Sequence, residues 1–254
     1  QHKDLKADYI MANPPFNQKD WRGPQELIDD PRWQGYEVPP KSNANYGWIL
    51  NMVSKLSENG VAGFILANGA LSGGGEEYKI RRKLIENNLV EAIVILPQNM
   101  FYTTNISVTL WILNKNKKAD TRSIGEESRN YRNREEEVLF LDLRLIGEPF
   151  EKKFIQFGKG DIYKVASTYH NWQQTDSKYE DIPEFCYSAT KDEITKKDFS
   201  LVPSKYIEFI NRDENIDFDS KMTELQNELS QLLHEEEQSR KELLDVFKEL
   251  GYEI

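Results

Sequence analysis

The chain has 254 residues, 30% of them charged and 38% hydrophobic, with a net charge of −10. This composition is typical of a globular protein with one large domain, or one domain and an appendage. No apolar stretch approaches the roughly 20 residues that cross a bilayer, and the polar amino terminus indicates no signal peptide. The single cysteine, Cys186, excludes an intramolecular disulfide framework. We therefore expect a cytoplasmic protein with no membrane partner.

The first predicted element is a short apolar strand over residues 8–12 that ends abruptly at Asn13-Pro14-Pro15-Phe16. Two consecutive prolines end a strand or a helix. Residues 17–42 are polar, rich in Pro, Trp and Gly, and without periodicity. A loop of this length inside a compact domain is usually functional or disordered.

The following pattern alternates helices with apolar strands, which predicts an α/β fold with a parallel sheet and right-handed crossovers. The predicted elements are a helix from a cap at Ser42 or Asn43 to about 58, strands over 61–67, 89–97, 107–115, 137–143 and 184–189, helices over 77–88 and 160–174, and one long helix over 218–250. The charged residues 115–137 are interpreted as a solvated surface loop. We expect a first domain over 1–210 and an appended helix over 211–254.

The Asn-Pro-Pro-Phe tetrapeptide has a specific chemical use. An amino group conjugated to an aromatic ring is a poor nucleophile, because its lone pair is delocalised. The Asn13 side-chain oxygen and the Pro14 carbonyl can accept its two N–H groups and expose that lone pair. The second proline fixes the direction of the carbonyl in advance, and Phe16 offers a flat face for an extruded base. This chemistry needs neither a metal nor a histidine. The alternative is a plain strand terminator with an Asx-type turn.

An acidic residue, an apolar strand and Asn-Pro-Pro-Phe together resemble the catalytic motif of N6-adenine DNA methyltransferases. More specifically, the chain resembles the modification (M) subunit of type I restriction-modification systems over nearly its whole length, apart from 115–137. The stretches that carry this resemblance are "RWQGYEVPPKSNANYGWILNM", "GVAGFILANGAL", "IRRKLIENNLVEAIVILPQNMFYTTNISVTLWILNK" and "DFSLVPSKYIE".

The resemblance implies a fold, a donor and a set of site residues. The fold is part of an S-adenosylmethionine-dependent methyltransferase (Rossmann-like) sheet, and the donor is S-adenosylmethionine. Asn13, Pro14, Pro15 and Phe16 fall on the catalytic tetrapeptide, and Phe101 and Tyr102 fall on a loop that borders the target base. The family more often has Pro where this chain has Ala67, and Gly-Thr-Gly where it has Thr103-Thr104-Asn105. The second departure weakens the assignment of the Phe101 loop.

The donor-binding motif of the family is a glycine-rich turn after the first strand, upstream of Asn-Pro-Pro-Phe. Only twelve residues precede Asn13. We therefore expect the chain to be the C-terminal part of a longer protein and to bind S-adenosylmethionine weakly or not at all by itself. The "LSGGGEE" stretch lacks the spacing of a dinucleotide or phosphate loop, and we interpret it as a flexible turn.

Basic residues are candidates for contacts with DNA phosphates. Lys19 and Arg22 are favoured because they lie next to the tetrapeptide. Residues 79–83 hold a second group, Lys79, Arg81, Arg82 and Lys83, which is either a solvated helix face or a phosphate contact. The positive residues within 115–137, including Lys117 and Arg134, are interpreted as surface charges.

The last helix carries an apolar seam with heptad spacing, interrupted by Glu236 and Ser239. A long helix with one apolar stripe must bury it against something. One alternative is the sheet domain. The resemblance implies a DNA-specificity subunit, together with a second M subunit and a restriction subunit. The seam residues are Met222, Leu225, Leu229, Leu232, Leu243, Val246 and Leu250.

Three functions remain open from the sequence. The favoured function is part of a type I adenine-N6 DNA methyltransferase subunit, inactive as this fragment. The second is a partner-docking scaffold that performs no chemistry. The third is methylation of glutamine side chains in proteins, which also uses Asn-Pro-Pro. That group typically has Tyr after the prolines, so Phe16 and the Trp-rich loop disfavour it.

Overall fold

A computed structural model describes residue 2 and residues 4–124, 127–210 and 217–252. The chain forms two compact units, residues 1–209 and 210–254. The elements of the first are, in chain order, β1 (Ala7–Ala12), α1 (Asn45–Lys55), β2 (Leu56–Ala67), α2 (Gly75–Glu86), β3 (Val90–Ile95), β4 (Val108–Asn114), β5 (Asp120–Ile124), β6 (Glu127–Tyr131), β7 (Glu137–Asp142), β8 (Glu148–Phe150), β9 (Phe154–Gln156), α3 (Lys159–Gln173), β10 (Cys186–Thr190) and α4 (Lys191–Lys196). The second contains α5 (Phe218–Glu249). The predicted domain boundary after residue 210 stays a prediction.

Six strands form the central sheet in the order β1–β2–β4–β3–β7–β10. β1 runs parallel to β2 and β3 runs parallel to β7. β4 lies antiparallel between β2 and β3, and β10 is antiparallel at the far edge. The α/β class with a long last helix is confirmed. The expected parallel direction holds for β1, β2, β3 and β7, whereas β4 and β10 are antiparallel and make the sheet mixed. Because the connection over 96–107 carries no helix, β4 folds back beside β3.

The sheet has an apolar cluster on each face. α1 and α2 cover one face, where Ile49 and Ile80 pack with the strand side chains Phe64 and Trp111. On the other face Val94 and Leu141 pack with Trp172 of α3. Among the described residues, no helix combines the length and the apolar character needed to span a bilayer.

β1 is an edge strand, and its outer face is open. Tyr9 is 78% exposed and Met11 is 93% exposed, whereas Ile10 and Ala12 pack against the cluster under α1. The period-2 alternation of a strand places these pairs on opposite faces. The strand that carries Asn-Pro-Pro-Phe is therefore covered on one face only.

α1 begins later and ends earlier than the sequence pattern predicts. Its N-cap is Ala44, whose side chain makes no cap, and β2 begins directly after Lys55. β2 then bulges against β1 between its first residue and Val61. A Cβ on Gly60 would lie 2.8 Å from the Ala7 carbonyl oxygen. Glycine is needed where the two backbones approach this closely.

The charged stretch 115–137 is not simply a solvated loop. β5 and β6 form a hairpin inside it, and Lys117 and Arg134 on either side are buried. Arg134 Nε lies 3.1 Å from Glu91 Oε1, with both side chains fully buried. Lys117 Nζ donates to the Val90 carbonyl at 2.9 Å. The interpretation of Lys117 and Arg134 as surface charges is wrong, because their partners lie on β3, far away in sequence.

Burial of Lys117 predicts a pH dependence of stability. Burial lowers the pKa of Lys117 from 10.5 to about 8. Between these values the unfolded chain retains the proton and the folded chain has lost it, so the free energy of unfolding rises with pH. We expect the free energy of unfolding of the wild type, relative to that of Lys117→Met, to rise by up to about 3 kcal/mol from pH 8 to 10.5.

Urea unfolding at several pH values measures this difference. Lys118→Met is the control for loss of an exposed lysine next in sequence. A difference between wild type and Lys117→Met that stays constant over this range would contradict a lowered pKa of Lys117 in the folded chain.

Candidate active site

The Asn-Pro-Pro-Phe segment follows the carboxyl end of β1, and its asparagine is available to a ligand. Asn13 is exposed, and within the described part of the chain its side-chain amide has no hydrogen-bond partner. The Asx-type turn of the plain-terminator alternative is therefore not formed. The amide can donate and accept towards a bound molecule without first breaking an internal hydrogen bond.

A cavity of about 300 Å³ lies beside Asn13, between β1 and α1. This volume is at the lower end of the range for small-molecule sites. The wall is mostly apolar, with amide groups from Asn13 and Asn51. The lining residues are Ile10, Ala12, Asn13, Pro14, Pro15, Trp48, Asn51 and Met52.

Phe16, the last residue of the tetrapeptide, does not line this cavity. Its ring packs against the apolar cluster on the α3 face of the sheet, and so does Phe101. Tyr102 is instead 70% exposed. The structure therefore brings Phe16 and Phe101 to the same cluster, while Phe101 and Tyr102, adjacent in sequence, differ in burial.

A network of three asparagines fixes the chain directly after Phe16. Asn17 has a left-handed backbone, with φ of 51°. Its N–H donates to Asn45 Oδ1 at 3.0 Å, and its own Oδ1 accepts from Asn45 Nδ2 at 2.9 Å and from Asn43 Nδ2 at 3.2 Å. Asn45 is 1% exposed. The buried first residue of α1 therefore fixes the position of Asn17, the residue that follows the tetrapeptide.

The loop over 17–42 is organised by tryptophans. Trp21 donates to the Pro40 carbonyl at 2.8 Å, and its ring meets that of buried Trp33 edge-on at 6.2 Å. Trp33 donates to the Leu27 carbonyl at 2.7 Å. These contacts give the loop a fixed path beside the tetrapeptide.

The two basic residues expected to contact DNA differ in availability. Lys19 is exposed. The Arg22 guanidinium donates to backbone carbonyls of its own loop, including Pro39 at 3.0 Å and Glu26 at 3.3 Å. Among the described residues Lys19 has no ion-pair partner and presents its charge next to the tetrapeptide, whereas Arg22 holds the loop together.

Arg81 belongs to the packing of the first unit and not to a phosphate site. It is 2% exposed, and its guanidinium donates to the Phe199 and Gly73 carbonyls, each at 2.8 Å. The glycine turn over 72–75 thus supplies a carbonyl to α2. Neither interpretation of residues 79–83 holds for Arg81, because its hydrogen bonds reach backbone far away in sequence.

The asparagine network and the contacts of Trp21 and Trp33 in the loop over 17–42 were not predicted from the sequence. Asn45 and Asn17 are 28 residues apart, and the sequence indicated only a helix cap at Ser42 or Asn43 in this region. Trp48 of α1 packs against the apolar cluster under α1 and also lines the cavity next to Asn13.

Comparison with known proteins identifies the family. A sequence model of the N-6 DNA Methylase family matches residues 1–215. The chain belongs to the N-6 DNA Methylase family.

Several known proteins are similar to most or all of this chain. The HindI type I restriction enzyme methylase subunit of Haemophilus influenzae is 40% identical over 100% of this chain and 54% of its own length. The MjaIX methylase subunit of Methanocaldococcus jannaschii is 34% identical over 98% of this chain and 43% of its own. A type I restriction-modification methyltransferase subunit from Streptococcus thermophilus superposes with a TM-score of 0.69 at 27% identity, over 82% of this chain and 39% of its own. The chain thus spans about half the length of the curated relatives it matches.

Proposed function

We propose that this chain carries the catalytic tetrapeptide of a type I restriction-modification methylase subunit, and that the complete subunit methylates the N6 amino group of adenine in DNA. Membership of the N-6 DNA Methylase family and the similarity to methylase subunits support the proposal. The observation that carries it is the Asn13 amide at the end of an edge strand, beside two prolines, which has no hydrogen-bond partner among the residues that the structure describes.

The tetrapeptide would act by binding the amino group. Asn13 Oδ1 and the Pro14 carbonyl accept the two N6–H groups of an adenine extruded from the duplex, so the nitrogen becomes tetrahedral and its lone pair is exposed. Phe16 stacks on the base. S-adenosylmethionine, when bound, supplies the methyl group. Since the acceptors are held by the proline backbone and by the asparagine network, little reorganisation is needed during the reaction.

The described residues do not by themselves fit S-adenosylmethionine. The wall of the cavity next to Asn13 contains no carboxylate for the hydroxyl groups of a ribose. The glycine turn over 72–75 serves α2 through the hydrogen bond from Arg81 to the Gly73 carbonyl. We propose that the donor is bound by the part of the subunit that this chain does not span, and that the isolated chain binds it weakly or not at all.

Partners and location follow from the same proposal. The partners are DNA, a DNA-specificity subunit, a second M subunit and a restriction subunit, in the cytoplasm. α5 supports the docking part of the proposal, because its described seam residues, such as Leu229 and Leu232, are more than half exposed. A scaffold that only docks partners is the second candidate function, and it is favoured by the same exposed seam.

One assay separates these functions. The complete gene product is mixed with its specificity subunit, duplex DNA and methyl-labelled S-adenosylmethionine, and both the digested nucleosides and the digested proteins are analysed by mass spectrometry. We expect N6-methyladenine. Label found on glutamine of a protein would support the third alternative from the sequence, and no transfer at all would support the docking scaffold.

The asparagine network predicts a loss of turnover when it is broken. In the complete gene product, Asn45→Ala removes two of the three hydrogen bonds that hold Asn17, each worth about 1 kcal/mol or more. The tetrapeptide then loses its fixed end, and we expect kcat for methylation to fall roughly 10- to 100-fold with little change in the KM for DNA. Steady-state kinetics measure both constants.

The control is Asn87→Ala, which removes an exposed asparagine whose amide donates to the Tyr36 hydroxyl. It should leave kcat unchanged. If Asn45→Ala lowers only the thermal stability and kcat is retained, the network has no role in positioning the tetrapeptide.

A further inference from the structure

The hairpin formed by β8 and β9 lies at the same edge of the sheet as the tetrapeptide. β1, β3 and β7 run in one direction, since β1 is parallel to β2, β4 is antiparallel to both β2 and β3, and β7 is parallel to β3. The loop over 98–105 follows β3, and the hairpin follows β7. The carboxyl ends of such strands are where ligands of open α/β sheets bind.

The loop over 98–105 is closed by its own backbone. The Asn99 N–H donates to the Asn105 carbonyl at 3.4 Å, and the Thr104 N–H donates to the Phe101 carbonyl at 3.4 Å. Phe101 packs inward on the cluster that also receives Phe16. Tyr102 is the loop's exposed aromatic ring, at 70%. Its ring therefore faces solvent although the loop that carries it is anchored.

The hairpin contacts this loop at two points. Phe154 meets the Tyr102 ring edge-on, with 4.7 Å between ring centroids. The next residue, Ile155, donates its N–H to the Asn99 carbonyl at 3.1 Å. Edge-to-face pairs of this kind are worth about 0.5–1.5 kcal/mol beyond their burial. Phe154 therefore restricts the direction of the exposed Tyr102 ring.

The hairpin itself has a fixed start. Gly147 has φ of +108°, a conformation that strains any residue with a Cβ. A Cβ there would lie 2.7 Å from Ile155 Cγ2 and 3.0 Å from the Gln156 carbonyl oxygen. The close approach holds β9 against the residue before β8, and the Lys153 ammonium lies 5.0 Å from the Phe154 ring centroid.

We propose that the β8–β9 hairpin is a positioning element for DNA, in which Phe154 holds the Tyr102 ring as a stacking surface for a base of the substrate duplex. The inference rests on the proposed function and extends it. Tyr102 contacts the base, Phe101 anchors the loop, and Phe154 is a positioning residue that acts through Tyr102. Stacking of a base on an aromatic side chain is worth about 1–3 kcal/mol.

A double-mutant cycle in the complete gene product, assembled with its specificity subunit, tests this proposal. We expect Tyr102→Ala and Phe154→Ala each to raise the KM for DNA roughly tenfold with little change in kcat. Because both changes remove the same stacking surface, the double variant should be no worse than either single variant. Phe154→Tyr keeps a ring and should retain most of the wild-type affinity. Tyr163→Ala, at a 76% exposed tyrosine of α3, is the control.

A spectroscopic readout separates stacking from a general loss of stability. With 2-aminopurine at the target position, we expect higher fluorescence in the Tyr102→Ala and Phe154→Ala complexes than in wild type, since an unstacked base is less quenched. Effects of the two substitutions that multiply, or unchanged fluorescence in both, would overturn the proposal. Methylation by the wild type is scored separately: its absence contradicts the proposed function, whereas wild-type methylation with unaffected variants contradicts only the role of the hairpin.

Discussion

Replacing Asn13 by alanine in the complete gene product is expected to reduce DNA methylation by at least about 100-fold, the effect of removing one preorganised group that stabilises a transition state. The amide is exposed and has no hydrogen-bond partner among the described residues, so its loss should cost little stability. The rate of methyl transfer at saturating DNA and donor measures the effect. The melting temperature and the assembly with partner subunits should stay unchanged.

Asn59→Ala provides the matched control for this experiment. Asn59 is also exposed, but it lies in the first half of β2, where its Oδ1 accepts from Asn116 at 2.7 Å. We expect normal methylation from this variant. Full activity of Asn13→Ala would refute the assignment of the tetrapeptide, whatever the control shows.

Adding charge to the seam of α5 is expected to abolish association with the DNA-specificity subunit. Leu229 and Leu232 are 57% and 55% exposed and lie on the same stripe of the helix. Replacing both by glutamate places two charges in the contact surface, where each large apolar side chain can contribute about 2 kcal/mol. We expect the affinity of the gene product for the specificity subunit to fall at least 100-fold, measured by size exclusion and isothermal titration.

The control adds the same two charges to the opposite side of the helix. At 100° per residue, Asn227 and Gln238 lie away from the leucine stripe, and both are exposed. Asn227→Glu with Gln238→Glu should bind the specificity subunit normally. Deletion of residues 219–254 should reproduce the loss. An intact complex after deletion would show that α5 is not the docking element.

Elements with a local signal were predictable from the sequence. The continuous apolar run over 61–67 gave most of β2, and the heptad seam gave α5 nearly to the residue, Phe218–Glu249. The Asn-Pro-Pro-Phe segment was found for the same reason, since a strand, a terminator and an aromatic residue are consecutive. These features depend on neighbours within one turn or one strand.

Features that depend on distant partners were not predictable. Arg81, Lys117 and Arg134 were expected at the surface because charged residues usually are. Their burial depends on the Phe199 carbonyl, the Val90 carbonyl and the Glu91 carboxylate, and no sequence spacing indicates these pairings. The antiparallel direction of β4 likewise depends on the path of its connection.

The candidate site likewise combines a feature with a local sequence signal and features that depend on distant partners. The tetrapeptide could be identified, but the groups that orient it could not. Asn45 reaches Asn17 only because α1 begins beside the end of β1, and Phe154 reaches Tyr102 only because β7 lies next to β3. The identity of a reactive group is thus a local property of the sequence, whereas its direction is a property of the fold.

We infer that Asn13 and Pro14 jointly hold the amino group of an extruded adenine. The most direct test is a structure of the complete gene product and its specificity subunit with substrate DNA and a non-reactive donor analogue. We expect Asn13 Oδ1 and the Pro14 carbonyl oxygen each about 2.7–3.2 Å from the adenine N6, with the base against Phe16. An adenine bound outside this tetrapeptide, or an Asn13 amide bonded to its own loop in that complex, would refute this role of Asn13 and Pro14.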